Sequence, residues 1–367
     1  QRQMCIRDIF STGHPAQVHN FKIVKNILES HGHKVVWAAS KKDISDYLLK
    51  KYNIKYTELK RPSKSFLSKI YVLIVNTWIT FNLIRKERVD FVVSRINPGV
   101  VLAAWLSGKQ QIVLTDTEAA GFYDAFFSKF TNSLLTASSF EKQIRNNQIR
   151  YKANIELFYL HPNYFKPMPD DAYKLLKLEK GTPYVIVRFV SWQAFHDKGH
   201  EGISLENRLI AVQKMAKYAK VYITAEGNSL PVELEKYRIK IPLEKIHIVL
   251  NEAVLFFGEG ASMASESAIL GTPAIYVNDL WAGYTNEEEK YGLLYSFKTD
   301  ADSQKAAILK AIELLKDKKS KSQTVEKRKK FLQDHIDPAT FLVWFIENYP
   351  ESKKIMKENP DYQYNFK

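Results

Sequence analysis

The strongest constraint on the fold is an alternation of short apolar runs with longer amphipathic stretches, which begins at Ile9. This alternation is typical of a parallel β-sheet covered by α-helices. Apolar residues recur every three or four positions from Val18 to Leu28, which indicates a helix that ends near Gly32. The predicted strands are residues 34–38, 91–94, 111–114, 134–136, 184–189, 220–224, 253–257 and 273–277.

This alternation is interrupted between residues 161 and 183, where four prolines bracket a short charged helix at 171–180. Because 367 residues exceed what one hydrophobic core usually organises, the break predicts two domains. We expect two Rossmann-like, doubly wound parallel-sheet domains, 1–165 and 166–340, facing each other across a cleft. The last helices have no following strand, so the tail 341–367 is expected to cross back onto the first domain.

Residues 1–8 show neither strand nor helix periodicity and look foreign to the pattern that follows, so they are left out of the functional argument. The single cysteine, Cys5, excludes an internal disulfide or a multi-cysteine metal site and fits a reducing compartment. No signal peptide is recognisable, and the apolar stretch 70–84 is shorter than the roughly 20 residues of a bilayer span. The sequence therefore predicts a cytoplasmic protein.

The formal net charge of +14 is compatible with nucleic acid, phosphorylated small molecules or an anionic membrane as partners. A solvated lysine surface explains it equally well, and the basic run within 305–330 is typical of an exposed helix end. Charge alone therefore selects no partner, and nothing else in the chain predicts nucleic-acid binding.

In the first domain, two loops follow predicted strands at the edge where open α/β sheets bind ligands. Gly13 permits a tight turn, and His14 beside it is a candidate general base toward an attacking hydroxyl. Asp116 and Glu118 follow the strand at 111–114 and are further catalytic candidates. The alternatives are a loop histidine without a catalytic role and a helix cap at Asp116.

In the second domain, Arg188 with Ser191 and Trp192 follows the first strand and suits a phosphate and a planar ring. Glu226 and Gly227, just past the next strand, are also assigned to nucleotide-sugar binding. The His-x-x-x-His spacing from residue 196 to 200 suggests zinc, but Gly199 argues against one continuous helix and no third ligand stands nearby. We therefore predict no metal and no cofactor.

The segment 257–273 carries the most specific pattern, because a buried strand runs into small residues and then into a helix. The free N–H groups and dipole of such a helix start favour a phosphate. Glu266, one turn further in, could accept both hydroxyls of a ribose. The alternative is a plain capped helix. The candidate ligand contacts here are Gly258, Gly260, Ala261, Ser262, Met263 and Glu266.

The run Ser-Glu-Ser-Ala-Ile-Leu-Gly-Thr-Pro at 265–273 resembles the nucleotide-binding helix of the glycosyltransferase-B superfamily. This superfamily includes the N-acetylglucosaminyl transferase of the peptidoglycan lipid precursor and the UDP-N-acetylglucosamine 2-epimerases. The resemblance implies that Glu266 holds the ribose and that Gly260, Ala261 and Ser262 hold the diphosphate. The Thr-Gly-His turn ending at His14 likewise resembles the glycine-rich first loop of that transferase.

Nearly the whole chain also resembles an archaeal and bacterial family of this superfamily that is catalogued as a domain of unknown function. Two departures from the superfamily stand out. The first loop lacks the Gly-Thr-Arg-Pro-Glu of the epimerases, and Gly258-Glu-Gly replaces a serine-containing turn. The motifs that carry the family resemblance are Gly-His-Pro-Ala-Gln-Val-His, Thr-Asp-Thr-Glu, Leu-His-Pro-Asn-Tyr-Phe-Lys-Pro, Val-Arg-Phe-Val-Ser-Trp and Glu-Lys-Tyr-Gly-Leu.

The resemblance implies a metal-independent, inverting sugar transferase that takes a nucleotide-diphosphate sugar, expected to be UDP-linked, in surface polysaccharide or glycolipid biosynthesis. The expected acceptor is a glycan or a lipid-linked sugar, bound by the first domain. A UDP-sugar 2-epimerase or hydrolase, or a non-catalytic nucleotide- or glycan-binding protein, stays open as an alternative.

A basic cluster immediately precedes the apolar stretch 70–84 in the first domain. It consists of Lys60, Arg61, Lys64 and Lys69. Cations beside exposed apolar surface predict peripheral contact with an anionic membrane. The alternative is that 70–84 is a core helix that covers the first sheet.

Overall fold

A computed structural model describes residues 5–41, 43–63, 65–116, 118, 121–146, 148–168, 170–190, 202–225, 230–280 and 282–367. The chain divides into two compact units. Unit 1 comprises Gln1–Tyr164 together with His335–Lys367, and unit 2 comprises Phe165–Asp334. The sequence-based limits were set at 165/166 and 340/341.

Unit 1 contains a parallel sheet in which seven strands of the described chain are ordered β3-β2-β1-β4-β5-β6-β7. These strands are β1 (Arg7–Thr12), β2 (Lys34–Ser40), β3 (Tyr56–Leu59), β4 (Phe91–Arg95), β5 (Gln110–Thr115), β6 (Ser133–Ala137) and β7 (Gln148–Tyr151). The helices between and after them are α1 (Pro15–Ser30), α2 (Asp43–Lys51), α3 (Phe66–Glu87), α4 (Pro98–Leu106), α5 (Gly121–Ser128) and α6 (Leu157–Leu160).

Unit 2 contains a second parallel sheet, ordered β12-β11-β10-β8-β9. Its described strands are β8 (Tyr184–Phe189), β9 (Lys220–Ala225), β10 (Leu255–Gly258), β11 (Ala274–Val277) and β12 (Leu294–Phe297). Its α-helices are α7 (Asp171–Leu176), α8 (Leu205–Met215), α9 (Ile246–Glu252), α10 (Ala261–Ile269), α11 (Gly283–Lys290), α12 (Ala301–Lys316) and α13 (Ser320–Asp334), with 3-10 turns at Val232–Tyr237 and Leu243–Lys245. The predicted pair of parallel α/β sheets is therefore confirmed.

The last helices of the chain complete unit 1. They are α14 (Pro338–Glu347) and α15 (Glu351–Glu358), followed by a 3-10 turn at Pro360–Phe366. The ring of Phe341 in α14 stacks on Tyr151 of β7 with 6.0 Å between centroids. Helix α14 also packs on α1, so the C-terminal segment is part of the core of unit 1.

The interpretation of residues 1–8 is wrong for Arg7 and Asp8, which begin the central strand β1. Asp8 pairs in register with Val35 of β2 and Phe91 of β4. The hydrophobic alternation is broken at Asp8 because a carboxyl group occupies a fully buried position. A buried polar residue thus hid the first two residues of a strand whose apolar part was recognised from Ile9 onward.

The basic run within 305–330 is also only partly an exposed helix end. Lys321 in α13 donates from Nζ to the carbonyl of Asn251 at 2.7 Å, and Arg328 donates from Nε to the carbonyl of Ile269 at 2.5 Å. Both carbonyls lie in the last turns of helices, where orphan acceptors and the negative end of the dipole favour cations. These two basic side chains thus hold α9 and α10 in place.

Candidate functional site

Each sheet has a topological switch point, where successive strands begin to add on the opposite side. It lies between β1 and β4 in unit 1 and between β8 and β10 in unit 2. Open α/β sheets bind ligands beside the carboxyl ends of the strands at this point.

In unit 2, the switch point brings Arg188 of β8 beside Gly258 of β10, and the two are paired in register. A Cβ at residue 258 would lie 2.5 Å from the carbonyl oxygen of Arg188, which real structures do not tolerate. Glycine is therefore required at 258 for strand packing. This packing explains the residue without any ligand contact.

Helix α10 begins at the same place. Gly260 is its N-cap, with φ −93° and ψ 112°, and no side chain caps it. Among the described residues, the N–H groups of Ala261, Ser262 and Met263 have no assigned hydrogen-bond partner. A Cβ at residue 260 would lie 3.9 Å from Nε of Arg188. An uncapped helix start and a guanidinium therefore converge, as an anion site requires.

The other first-turn residues differ in exposure. Ser262 is exposed, whereas Met263 is half-buried and accepts a hydrogen bond from the hydroxyl of Thr224, with 3.7 Å between Oγ1 and Sδ. Thr224 lies near the end of β9. Met263 thus packs toward the neighbouring strand, and Ser262 is the first-turn side chain that presents a hydroxyl to solvent.

Glu266 is buried within α10, and its Oε1 lies 3.0 Å from Nε2 of His247 on α9. His247 is buried as well, and the ring of Phe165 meets it edge-on. The sequence analysis did not predict His247 as a site residue. It lies 19 positions before Glu266 in a different helix, so no local motif connects them.

Glu259 is a second residue that the sequence analysis missed. Its buried carboxylate accepts the N–H of Val190 at 2.8 Å and that of Ile203 at 2.5 Å, and it pairs with Arg208 at 3.1 Å. These bonds fix the chain on both sides of residues 191–201. Ser191, Trp192, Glu226 and Gly227, like the histidine pair at 196 and 200, lie outside the described residues.

In unit 1, His14 is exposed and is the N-cap of α1. Its Nδ1 accepts the backbone N–H of Ala16 at 3.3 Å, and the amide oxygen of Gln17 accepts the N–H of Gly13 at 2.7 Å. With Nδ1 as an acceptor, the neutral ring carries its proton on Nε2. A proton taken from a substrate would therefore go to Nδ1 and replace the capping bond.

Asp116 forms an ion pair with Arg95, which lies at the end of β4. Both side chains are largely buried, and the guanidinium offsets the charge of the carboxylate. Glu118 is buried, and its backbone carbonyl accepts a bond from Nζ of Lys142 at 2.7 Å. The two predicted carboxylates thus occupy different environments, and Arg95 is a site residue that the sequence analysis did not predict.

A cavity of about 550 Å³ opens at the switch point of unit 1. Gly13 lines it, whereas neither His14 nor Asp116 is among the described lining residues. Its polar lining consists of Ser11, Gln17, Ser40, Lys60, Lys69, Asn76, Arg95 and Asn97. Its apolar lining includes Pro62, Phe66, Ile70, Val72, Leu73, Ile96, Pro98 and Phe127. The cavity therefore suits a ligand with an anionic and an apolar part.

Two contacts hold the basic wall of this cavity. The amide of Asn76 in α3 bridges the backbone of Lys60, accepting its N–H at 2.8 Å and donating to its carbonyl at 3.0 Å. Gly99 at the start of α4 approaches so closely that a Cβ there would lie 2.7 Å from Cβ of Asn76. Asn76 thus ties Lys60 and the start of α4 together at the cavity.

Helix α3 shows that neither interpretation of the apolar stretch 70–84 is complete. One side packs into the unit through Val72, Leu83 and Ile84. The opposite side leaves large apolar residues exposed, namely Phe66, Leu67, Ile70, Tyr71, Ile74 and Trp78. Within the described chain, α3 is the one helix long and apolar enough to cross a membrane, a test that core helices also pass.

Comparisons with known proteins extend these observations. No family model matches the chain. The UDP-N-acetylglucosamine–N-acetylmuramyl-(pentapeptide) pyrophosphoryl-undecaprenol N-acetylglucosamine transferase of Blochmanniella floridana is 28% identical over 282 residues, covering 69% of this chain and 72% of the relative.

Solved structures with the same fold cover nearly all of the chain. The MnaA–UDP complex of S. aureus matches with a TM-score of 0.65 and 13% identity, covering 95% of this chain and 97% of MnaA. MurG of Acinetobacter baumannii matches with a TM-score of 0.55 and 15% identity, covering 94% of this chain and 99% of MurG. The chain therefore has the glycosyltransferase-B fold that its motifs predicted.

Proposed function

We propose that this protein is a metal-independent, inverting glycosyltransferase that moves a sugar from a nucleotide-diphosphate donor to an acceptor hydroxyl. The observation that carries the proposal is the convergence of Arg188 with the uncapped start of α10 at the switch point of unit 2. This arrangement offers three backbone N–H groups and a guanidinium to a diphosphate. The same groups would stabilise the charge that develops on the leaving group.

The donor is proposed to be UDP-linked, with Glu266 accepting hydrogen bonds from the ribose. MnaA was solved with UDP, and the Blochmanniella relative is named for UDP-N-acetylglucosamine, so both similarities support uridine. Glu266 shares a helix face with exposed Ser262, four residues earlier, which would place ribose and diphosphate contacts along one side of α10.

The acceptor is proposed to bind in the cavity of unit 1. Lys60, Lys69 and Arg95 would meet an anionic group, and Phe66 and Ile70 would meet an apolar one. A lipid-linked glycan has both parts, which favours it over a free sugar. A role in surface polysaccharide or glycolipid biosynthesis follows from this acceptor class.

We also propose that the protein is cytoplasmic and docks at the inner face of the membrane through α3. The exposed apolar side of α3 adjoins Lys60 and Lys69, so apolar insertion and attraction to anionic headgroups would act together. This surface lies beside the cavity, so docking would bring a lipid-linked acceptor to its binding site.

His14 is the proposed general base. It lies at the carboxyl edge of the sheet beside Gly13, a cavity residue, and its exposed ring is accessible to an acceptor. Asp116 is the alternative, but its carboxylate is already engaged in an ion pair with Arg95.

The decisive experiment follows nucleotide release and sugar identity in the same reaction. UDP-sugars are incubated with and without detergent-solubilised membrane lipids or free oligosaccharides. A transferase releases UDP only when an acceptor is present and labels that acceptor. Release without acceptor would indicate a hydrolase. Epimerisation without release would indicate the 2-epimerase alternative.

A further inference from the structure

His247 is a buried histidine that contacts the proposed ribose ligand from another helix. Its Nε2 lies 3.0 Å from Oε1 of Glu266, and neither residue is more than 7% exposed. We propose that His247 is a positioning residue, which holds the carboxylate of Glu266 in the orientation that binds the ribose of the donor. This inference rests on the proposed function of Glu266.

A carboxylate loses its hydration when it is buried, which costs free energy. A buried Glu must be hydrogen-bonded, and its three side-chain torsions allow several orientations. A ring N–H donor from α9 selects one of them. An ionised carboxylate accepts hydrogen bonds only, so its remaining lone pairs can accept from two neighbouring sugar hydroxyls.

The ring of His247 and the helix that carries it each have a partner that holds them. His247 belongs to α9, whose last turn receives the Nζ donor of Lys321 at the carbonyl of Asn251. The ring of Phe165 lies edge-on with 6.5 Å between centroids. A rigid donor on a fixed helix can orient a flexible side chain on its neighbour, and α9 contacts α10 directly.

Ser265, the residue next to Glu266 on α10, provides a matched control. Ser265 donates from Oγ to Oε1 of Glu288 at 2.5 Å, and both residues are fully buried. This pair connects α10 to α11, not to α9. Loss of the Ser265 bond should disturb α10 as a structural element without changing how Glu266 meets a ribose.

The test measures nucleotide binding by calorimetry for the full chain, with UDP and 2′-deoxy-UDP as probes. The variants are His247→Leu, which removes the donor, His247→Gln, which keeps an N–H at a similar reach, and Ser265→Ala as the control. If Glu266 contacts the ribose, the wild-type protein should bind UDP about tenfold more tightly than 2′-deoxy-UDP. Tenfold is the scale of one charge-assisted hydrogen bond. His247→Leu should reduce that preference to about twofold, whereas His247→Gln and Ser265→Ala should retain it.

Glu266→Gln completes a double-mutant cycle. If His247 acts through Glu266, His247→Leu should have little further effect on UDP affinity in the Glu266→Gln background. Equal UDP preference in wild type and His247→Leu would overturn the inference while leaving the proposed function intact. Failure of wild type to bind any of UDP, GDP, ADP and TDP would overturn the proposed function and the inference with it.

Discussion

At the scale of single residues, several charged side chains form ion pairs and hydrogen bonds that hold the loops at the two switch points. The carboxylate of Glu259 binds two backbone N–H groups and Arg208 in unit 2. In unit 1, Arg95 pairs with Asp116. From the sequence, Asp116 was given a catalytic role and Glu259 no role, because a motif shows residue types but not their distant partners.

Asp8 provides a test of stability against pH. Desolvation by burial, and then the charges of Asp90 and Glu347, raise its pKa from 3.8 to about 8. Because the folded state holds the proton more tightly, the contribution of Asp8 to stability is fully present below about pH 4 and is lost as pH rises through 8. Its carboxyl oxygens have no hydrogen-bond partner among the described residues.

We therefore expect Asp8→Val to raise the free energy of unfolding at pH 8 by roughly 3 kcal/mol and to change it little at pH 4. Denaturant titration at both pH values measures this. Asp302→Asn is the control, because the side chain of Asp302 is 94% exposed. An equal effect of Asp8→Val at both pH values would show that proton binding by Asp8 is not the cause.

His14 has two separable roles, and two substitutions separate them. Asparagine is a good N-cap, so His14→Asn should keep the start of α1 intact, whereas His14→Ala should lose about 1 kcal/mol of stability. As a general base, His14 should contribute about 100-fold to turnover, so both variants should be slow. Full turnover in His14→Asn, combined with a slow Asp116→Asn variant, would assign the base to Asp116.

At the scale of elements, the strands predicted from apolar runs are confirmed. The strands that were not predicted all lie at sheet edges. Strands β3, β7 and β12 each have four residues and lie at sheet edges. An edge strand is partly solvated, so its apolar signal is weak. The start of α10 was predicted from its small residues, while the cavity was not, because Lys60, Asn76 and Arg95 converge only in the fold.

Helix α3 gives the prediction at this scale. Replacing Leu67, Ile74 and Trp78, each more than 60% exposed, with glutamine should leave the fold intact because these side chains do not pack in the core. It should abolish sedimentation with vesicles of phosphatidylglycerol and phosphatidylcholine. Wild-type binding should weaken at high salt, because the contribution of Lys60 and Lys69 is screened.

The control for this surface is Leu309→Gln in unit 2, at a leucine that is 64% exposed but distant in sequence from the basic cluster. That variant should sediment like wild type. If wild type stays in the supernatant at low salt, α3 is not a docking surface and a soluble acceptor becomes the better proposal.

At the scale of the whole molecule, the two units differ in how many segments of the chain form them. Unit 2 is one uninterrupted stretch, whereas unit 1 needs residues 335–367 to complete its core. The buried carboxylate of Asp337 accepts bonds from Tyr164 at 2.6 Å and Asn163 at 2.9 Å, which fixes the returning chain. Each unit has its own buried core, so the two should lose structure separately.

Truncation after Asp334 tests this separation. It removes α14 from its contacts with α1 and β7, so unit 1 should become sensitive to protease. Unit 2 should stay resistant and retain UDP binding, since the proposed donor site lies wholly within it. Loss of protection in both units together would show that they fold as one cooperative body.

The discontinuity of unit 1 also has a consequence for synthesis on the ribosome. All strands of its sheet emerge early, but the helix that covers α1 and β7 emerges only after the whole of unit 2. Until then, apolar groups such as Tyr151 lack their final partner while unit 2 can already fold. The nascent chain therefore carries an incompletely folded first unit with exposed apolar surface for the time needed to translate residues 165–334. We expect it to need chaperones mainly during that interval.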